Sequence, residues 1–110
     1  MYINWNYLNS VTIISFDMDE LRDPEPLRNV VATHIKEKRK DFLIDLENVI
    51  YISSSVLGLF ITLHKELKEQ NGRVKLVNAQ PSVSSLLEMT RLDKILELFN
   101  DTKTALKSFE

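Results

Sequence analysis

The sequence predicts a mixed α/β domain, and three observations lead there. Short apolar runs rich in β-branched residues alternate with longer stretches of helical periodicity. Two strand candidates open the chain with only Asn9-Ser10 between them, the spacing of a tight hairpin. The 110 residues leave room for one core and no more. Strands separated by helices imply crossovers and a mostly parallel sheet, to which the N-terminal hairpin adds one antiparallel member. The expected order is ββαβαβαβα, with about four helices, in a single domain over residues 1–110.

Each element follows from its residues. Tyr2 to Leu8 alternates in part and carries aromatic and β-branched types, which predicts a strand, and Val11 to Phe16 is a nearly continuous apolar strand. Met18 to Pro26 is acidic and proline-bearing, hence a connection. Pro24 and Pro26 suit the first turn of a helix and Asp23 suits its cap. Leu27, Val30, Val31, His34 and Ile35 recur at three-and-four spacing and mark its buried face. The basic run Lys36-Glu37-Lys38-Arg39-Lys40 is expected as a solvated helix end, where the dipole favours cations, with partner contact as the alternative. Phe42 to Leu46 forms a short buried strand, and Val56 to Gln70 an amphipathic helix stopped by Asn71-Gly72. Val74 to Asn78 is the next strand, and Pro81 opens a helix through Val83, Leu86, Leu87 and Met89. Ile95 to Phe99 is the last strand candidate, and Asn100 or Asp101 caps a closing helix with Ala105, Leu106 and Phe109 inward.

Composition narrows the function. A chain of this size buries about 65% of its unfolded surface, and with 44% hydrophobic residues it stands without staples. The absence of cysteine excludes disulfides and thiolate sites and fits a reducing, cytoplasmic setting. The N-terminus lacks the basic start and apolar run of a signal peptide, and no apolar stretch approaches the 18 residues of a membrane span. A net charge of −2 with interspersed signs argues against nucleic-acid binding. A homodimer stays compatible with all of this.

The stretch from Asp45 to Gly58 organises the chain. Ser53, Ser54 and Ser55 lie where strand turns into helix, so their hydroxyls sit beside free backbone N–H groups at the positive end of a helix dipole. Such a place accepts negative charge cheaply. The plain alternative is a serine N-cap with spare hydroxyls. On the helix that follows, Val56, Leu59, Phe60, Leu63 and Leu67 share the core face, while Leu57, Ile61 and His64 lie on a flank beside Lys68. That flank either packs against a neighbouring helix or, with the serines, forms a partner patch.

Enzyme chemistry finds little support. His34 and His64 fall on different helices without ligand-spaced partners, so no metal site is expected. Asp17, Asp19, Glu20 and Asp23 crowd one loop rather than forming an acid/base pair. There is no Gly-x-Ser-x-Gly elbow, and with Gly58 and Gly72 as the only glycines there is no phosphate-cradling loop. Neither catalysis nor a cofactor is predicted.

The central residues resemble the STAS domain and, within that family, the bacterial anti-sigma factor antagonists. The family signature is a strand ending in Asp-Leu, a short link, an aromatic and an aliphatic residue, then Asp-Ser-Ser/Ala-Gly-Leu-Gly opening a helix. Asp45-Leu46, Tyr51-Ile52, Ser54-Ser55 and Leu57-Gly58 match it. The likeness continues through Asn71-Gly72, Val74 to Asn78, Pro81-Ser82-Val83, Leu87-x-Met89-Thr90-x-Leu92 and Asp93-Lys94-Ile95. Two positions depart: Ser53 replaces the signature aspartate, and Val56 the glycine after the serines. The resemblance implies a regulator that binds an anti-sigma factor with serine kinase activity. It also implies a phosphoacceptor at Ser54, ahead of Ser53 and Ser55. Loss of the aspartate and glycine points instead toward a STAS subunit that is never phosphorylated, in a regulatory scaffold or a lipid-transport complex.

Overall fold

In the computed structural model, which describes residues 2–110, β1 (Ile3–Leu8) and β2 (Val11–Phe16) form the expected antiparallel hairpin. Asn9 supplies the left-handed backbone of the tight turn at φ 56°, a conformation asparagine tolerates better than most residues. β2 pairs in parallel with β4 (Asp41–Asp45), β4 with β6 (Arg73–Val77), and β6 with β7 (Leu98–Phe99). The sheet order is therefore β1-β2-β4-β6-β7. The helices are α1 (Glu25–Lys36), α2 (Ser54–Glu69), α3 (Pro81–Met89) and α4 (Thr102–Lys107).

Successive strand residues point to opposite faces, and that alternation splits the core in two. Phe42 and Ile44 of β4 join Ile14, Phe16 and Leu76 beneath α1, α2 and α3. Leu43, between them in sequence, faces the other way and meets Val11, Val77, Ala105 and Phe109 under α4. A strand covered on both sides carries apolar residues without interruption, which is why Phe42-Leu43-Ile44 does not alternate.

Several expectations need correction. The connection after β2 contains a two-residue strand, β3 (Glu20–Leu21), and the link before α2 contains another, β5 (Tyr51–Ile52). The two pair in parallel as a separate small ladder. The helix expected from Val56 starts at Ser54, so Ser54 and Ser55 lie inside its first turn. The strand expected over 95–99 shrinks to Leu98–Phe99, because a 3-10 turn at Leu92–Lys94 takes up the preceding chain and leaves Ile95 exposed. The basic run is not wholly solvated: past the end of α1, Arg39 folds back, donates to Thr12 Oγ1 and lays its guanidinium 4.0 Å from the centre of the Tyr7 ring. Its aliphatic and planar parts pack even though its charge is basic.

The α2–β6 corner uses Asn71 and Gly72 for different reasons. Asn71 takes the left-handed conformation at φ 62° that ends the helix. Gly72 is constrained by space, since a Cβ there would collide with the Lys40 carbonyl oxygen. No helix among the described residues is long and apolar enough to cross a membrane.

Candidate functional site

The start of α2 is held by the β3–β5 ladder. Ile50 N–H donates to the Asp19 carbonyl at 2.7 Å and Ser53 N–H to the Leu21 carbonyl at 2.9 Å, which brings Arg22 against a segment some thirty residues later in the chain. The Ser53 hydroxyl is fully used there. It accepts from Val56 N–H at 3.2 Å as the N-cap of α2 and donates to the Arg22 carbonyl at 2.8 Å. Leu57 N–H closes the first helical bond onto the Ser53 carbonyl at 3.0 Å.

Ser54 and Ser55 differ from Ser53 in kind. Both are exposed, and neither hydroxyl bonds another described residue. Their N–H groups point out of the helix start, and no acidic side chain occupies the first turn to neutralise the dipole. The Arg22 guanidinium stacks 4.5 Å from the Tyr51 ring centre and pairs with Glu20 at 2.9 Å. The hydrogen bond from Arg22, and then its charge, hold the Glu20 carboxyl below its ordinary range. Two free hydroxyls and unpaired N–H groups thus share the start of α2, an arrangement suited to carrying an anion.

The apolar flank of α2 behaves differently from expectation. Leu57 is only 8% exposed and belongs to the core, so it is unavailable as patch surface. Ile61 is half-buried and packed on that core. His64 is half-buried beside Lys68 and Ile95. The exposed apolar residues near the serines are instead Ile50 and Tyr51, in the link just before the helix. A pocket of about 250 Å³ opens between the β3–α1 link and the start of α2, with Met18, Leu21, Arg22, Pro26, Leu27 and Val56 in its lining. Arg22, Ile50 and Tyr51 thus join the candidate site without having been singled out for it from the sequence. Only the aromatic in the signature gave a local signal, because Arg22 arrives through long-range pairing.

His34 does not face this site. It is buried 3% exposed on α1, where its Nδ1 lies 2.7 Å from the Val30 carbonyl and its Nε2 2.8 Å from the Tyr7 hydroxyl. No cluster of metal-ligating side chains occurs among the described residues.

With this geometry in view, the family model for the STAS domain matches residues 24–105. The chain belongs to the STAS domain family. A STAS-domain protein of Pseudomonas aeruginosa is 26% identical over 57 residues, 52% of this chain and 56% of that protein, so this match spans little more than half of the relative. The anti-sigma F factor antagonist of Paenibacillus polymyxa is 26% identical over 94 residues, 86% of this chain and 74% of its own length. Among solved structures, the anti-sigma factor antagonist SpoIIAA in its unphosphorylated form superposes with a TM-score of 0.82 at 20% identity, covering 97% of this chain and 95% of that one. The Bacillus protein SpoIIAA has also been solved phosphorylated. These structural likenesses establish the STAS fold, with its mixed sheet and N-terminal hairpin. Within this STAS domain both departures from the signature are accommodated locally: Ser53 supplies the cap, and Val56 is buried at 1% exposure.

Proposed function

We propose that the chain is an anti-sigma factor antagonist-like regulator that binds an anti-sigma kinase through the start of α2 and is released by phosphorylation of Ser54. The observation that carries this reading is the division of labour among the serines. Ser53 spends its hydroxyl on the cap and on Arg22, while Ser54 and Ser55 stand in the first turn exposed and unbonded, and of these two Ser54 occupies the acceptor position of the signature. A phosphate on Ser54 adds about −1.5 to −2 charges at neutral pH. The helix start tolerates that charge without refolding, so the penalty falls on the partner surface. Each 1.4 kcal/mol of like-charge repulsion there weakens binding about tenfold. Ser53, Ser55, Ile61 and His64 belong to the contact surface in this reading, together with Ile50 and Tyr51.

The test is incubation of the full chain with its partner kinase and MgATP, followed by site mapping and by pull-down with Ser54→Asp. Label on Ser54 and loss of the kinase by the Ser54→Asp variant are expected. No label, with the kinase active on another substrate, overturns the reading.

One observation favours a second reading. With Ser53 in the place of the signature aspartate, no carboxylate stands beside the Ser54 hydroxyl. A constitutive STAS subunit, never phosphorylated, fits that loss. It predicts a stable assembly from the native cell that is indifferent to Ser54→Asp.

A further inference from the structure

β1 is the free edge of the sheet, and it lacks the usual protection of one. The opposite edge, β7, is two residues long, whereas β1 runs for six. Natural edges are blunted by lysine, proline, bulges or a covering segment. The segment Tyr2 to Leu8 contains no charge and no proline, and its pairing with β2 has no bulge. Trp5, Tyr7 and Leu8 are 39%, 51% and 47% exposed.

The hydrogen-bond phase of β1 determines what the edge offers. Asp17 N–H donates to the Tyr2 carbonyl at 2.8 Å, and the hairpin closes with a two-residue turn after Leu8. Antiparallel pairing alternates, so Tyr2, Asn4, Asn6 and Leu8 direct their backbone groups at β2. Ile3, Trp5 and Tyr7 therefore direct theirs outward. An antiparallel copy of the strand centred on Trp5 sets Trp5 against Trp5 and Ile3 against Tyr7, so every outward residue meets an outward residue. The side chains are symmetric about the same point: Asn4 falls opposite Asn6, where the Cα atoms come closest and amides can bond each other.

We propose that a second copy of this chain pairs with the first through β1, antiparallel across a two-fold axis at Trp5. One sheet then runs through both molecules, five strands from each. The uncharged strand sets no like charges against each other at the seam, and a net charge of −2 per chain adds little repulsion across it.

Sedimentation of the full chain and amide hydrogen exchange test this. The expected species has twice the 12.8 kDa chain mass, with slow exchange at Ile3, Trp5 and Tyr7 that becomes fast on dilution. Trp5→Lys and Trp5→Glu each place like charges on the axis and should sediment as monomers with cooperative melting, and an equimolar mixture should recover a heterodimer. Should those variants fail to fold, the exchange pattern of the unaltered chain decides. A monomer up to the solubility limit overturns the proposal, as does a dimer whose edge amides exchange freely. Edge protection that appears only on adding an extended peptide overturns it in favour of a foreign strand.

Discussion

The Ser53 hydroxyl donates to the Arg22 carbonyl at 2.8 Å, so the N-cap of α2 also fastens the loop that follows β3. Ser53→Ala removes both bonds and should cost about 1–2 kcal/mol of stability, read as a lower urea midpoint at unchanged slope. Ser53→Asp restores the signature carboxylate. It keeps a good cap acceptor but cannot donate to Arg22, so its stability should fall between the other two while phosphorylation of Ser54 speeds up. A rate no higher than that of the unaltered chain would show that the aspartate plays no part in kinase recognition.

Gly58 and Gly72 should respond to alanine in opposite directions. A Cβ on Gly58 meets nothing within 4 Å, and the position is an exposed helix interior, so Gly58→Ala should stabilise the fold by about 0.5–1 kcal/mol. If the exposed face of α2 binds a partner, the same methyl weakens that binding. Gly72→Ala drives its methyl into the Lys40 backbone and should cost about 1–3 kcal/mol. Thermal melts and a partner titration on the two variants separate these effects.

The Tyr7 hydroxyl lies 2.8 Å from His34 Nε2. The Val30 carbonyl only accepts, so Nδ1 carries a proton, and in the neutral ring Nε2 accepts from Tyr7. Tyr7→Phe leaves that buried nitrogen without a donor and should destabilise the chain by about 1–2 kcal/mol, measured by denaturant unfolding.

Acid should unfasten α4 first at Asp101. The backbone N–H of Thr104, and then its hydroxyl, hold the Asp101 carboxyl below its ordinary value of 3.8. A carboxyl depressed in the folded state contributes stability that is complete above its unfolded pKa and lost as pH falls through the folded one. Asp101→Asn keeps a cap acceptor and does not titrate. Stability curves of the two proteins should therefore run parallel above pH 3.8 and converge or cross below it. Parallel curves throughout the acid range would show that the cap does not carry this linkage.

Much of the architecture was legible from local pattern. β2 lies at Val11–Phe16 and α3 at Pro81–Met89, as the apolar run and the proline with its periodic residues predict. Leu59, Phe60, Leu63 and Leu67 are core on α2, and Asp101 caps α4. These features depend on neighbours within a turn or a pleat, where residue type and spacing set the outcome.

What escaped that pattern depends on distant partners. Two-residue strands such as β3 and β5 have no period; they exist because Asp19 and Leu21 supply acceptors to Ile50 and Ser53. Lys75 looks like an outward residue of β6, yet it is 4% exposed because its ammonium donates to the Ser108 carbonyl and hydroxyl at 3.0 and 2.9 Å. Leu57 was drawn inward by the width of the core, and Arg22 was brought to the helix start by pairing across the chain. The residues alone thus specified the longer strands, the helices and a serine-bearing helix start. Which serine hydroxyls stayed free was decided by folding, because a cap bond and the Arg22 carbonyl claimed Ser53 and left Ser54 and Ser55 unbonded.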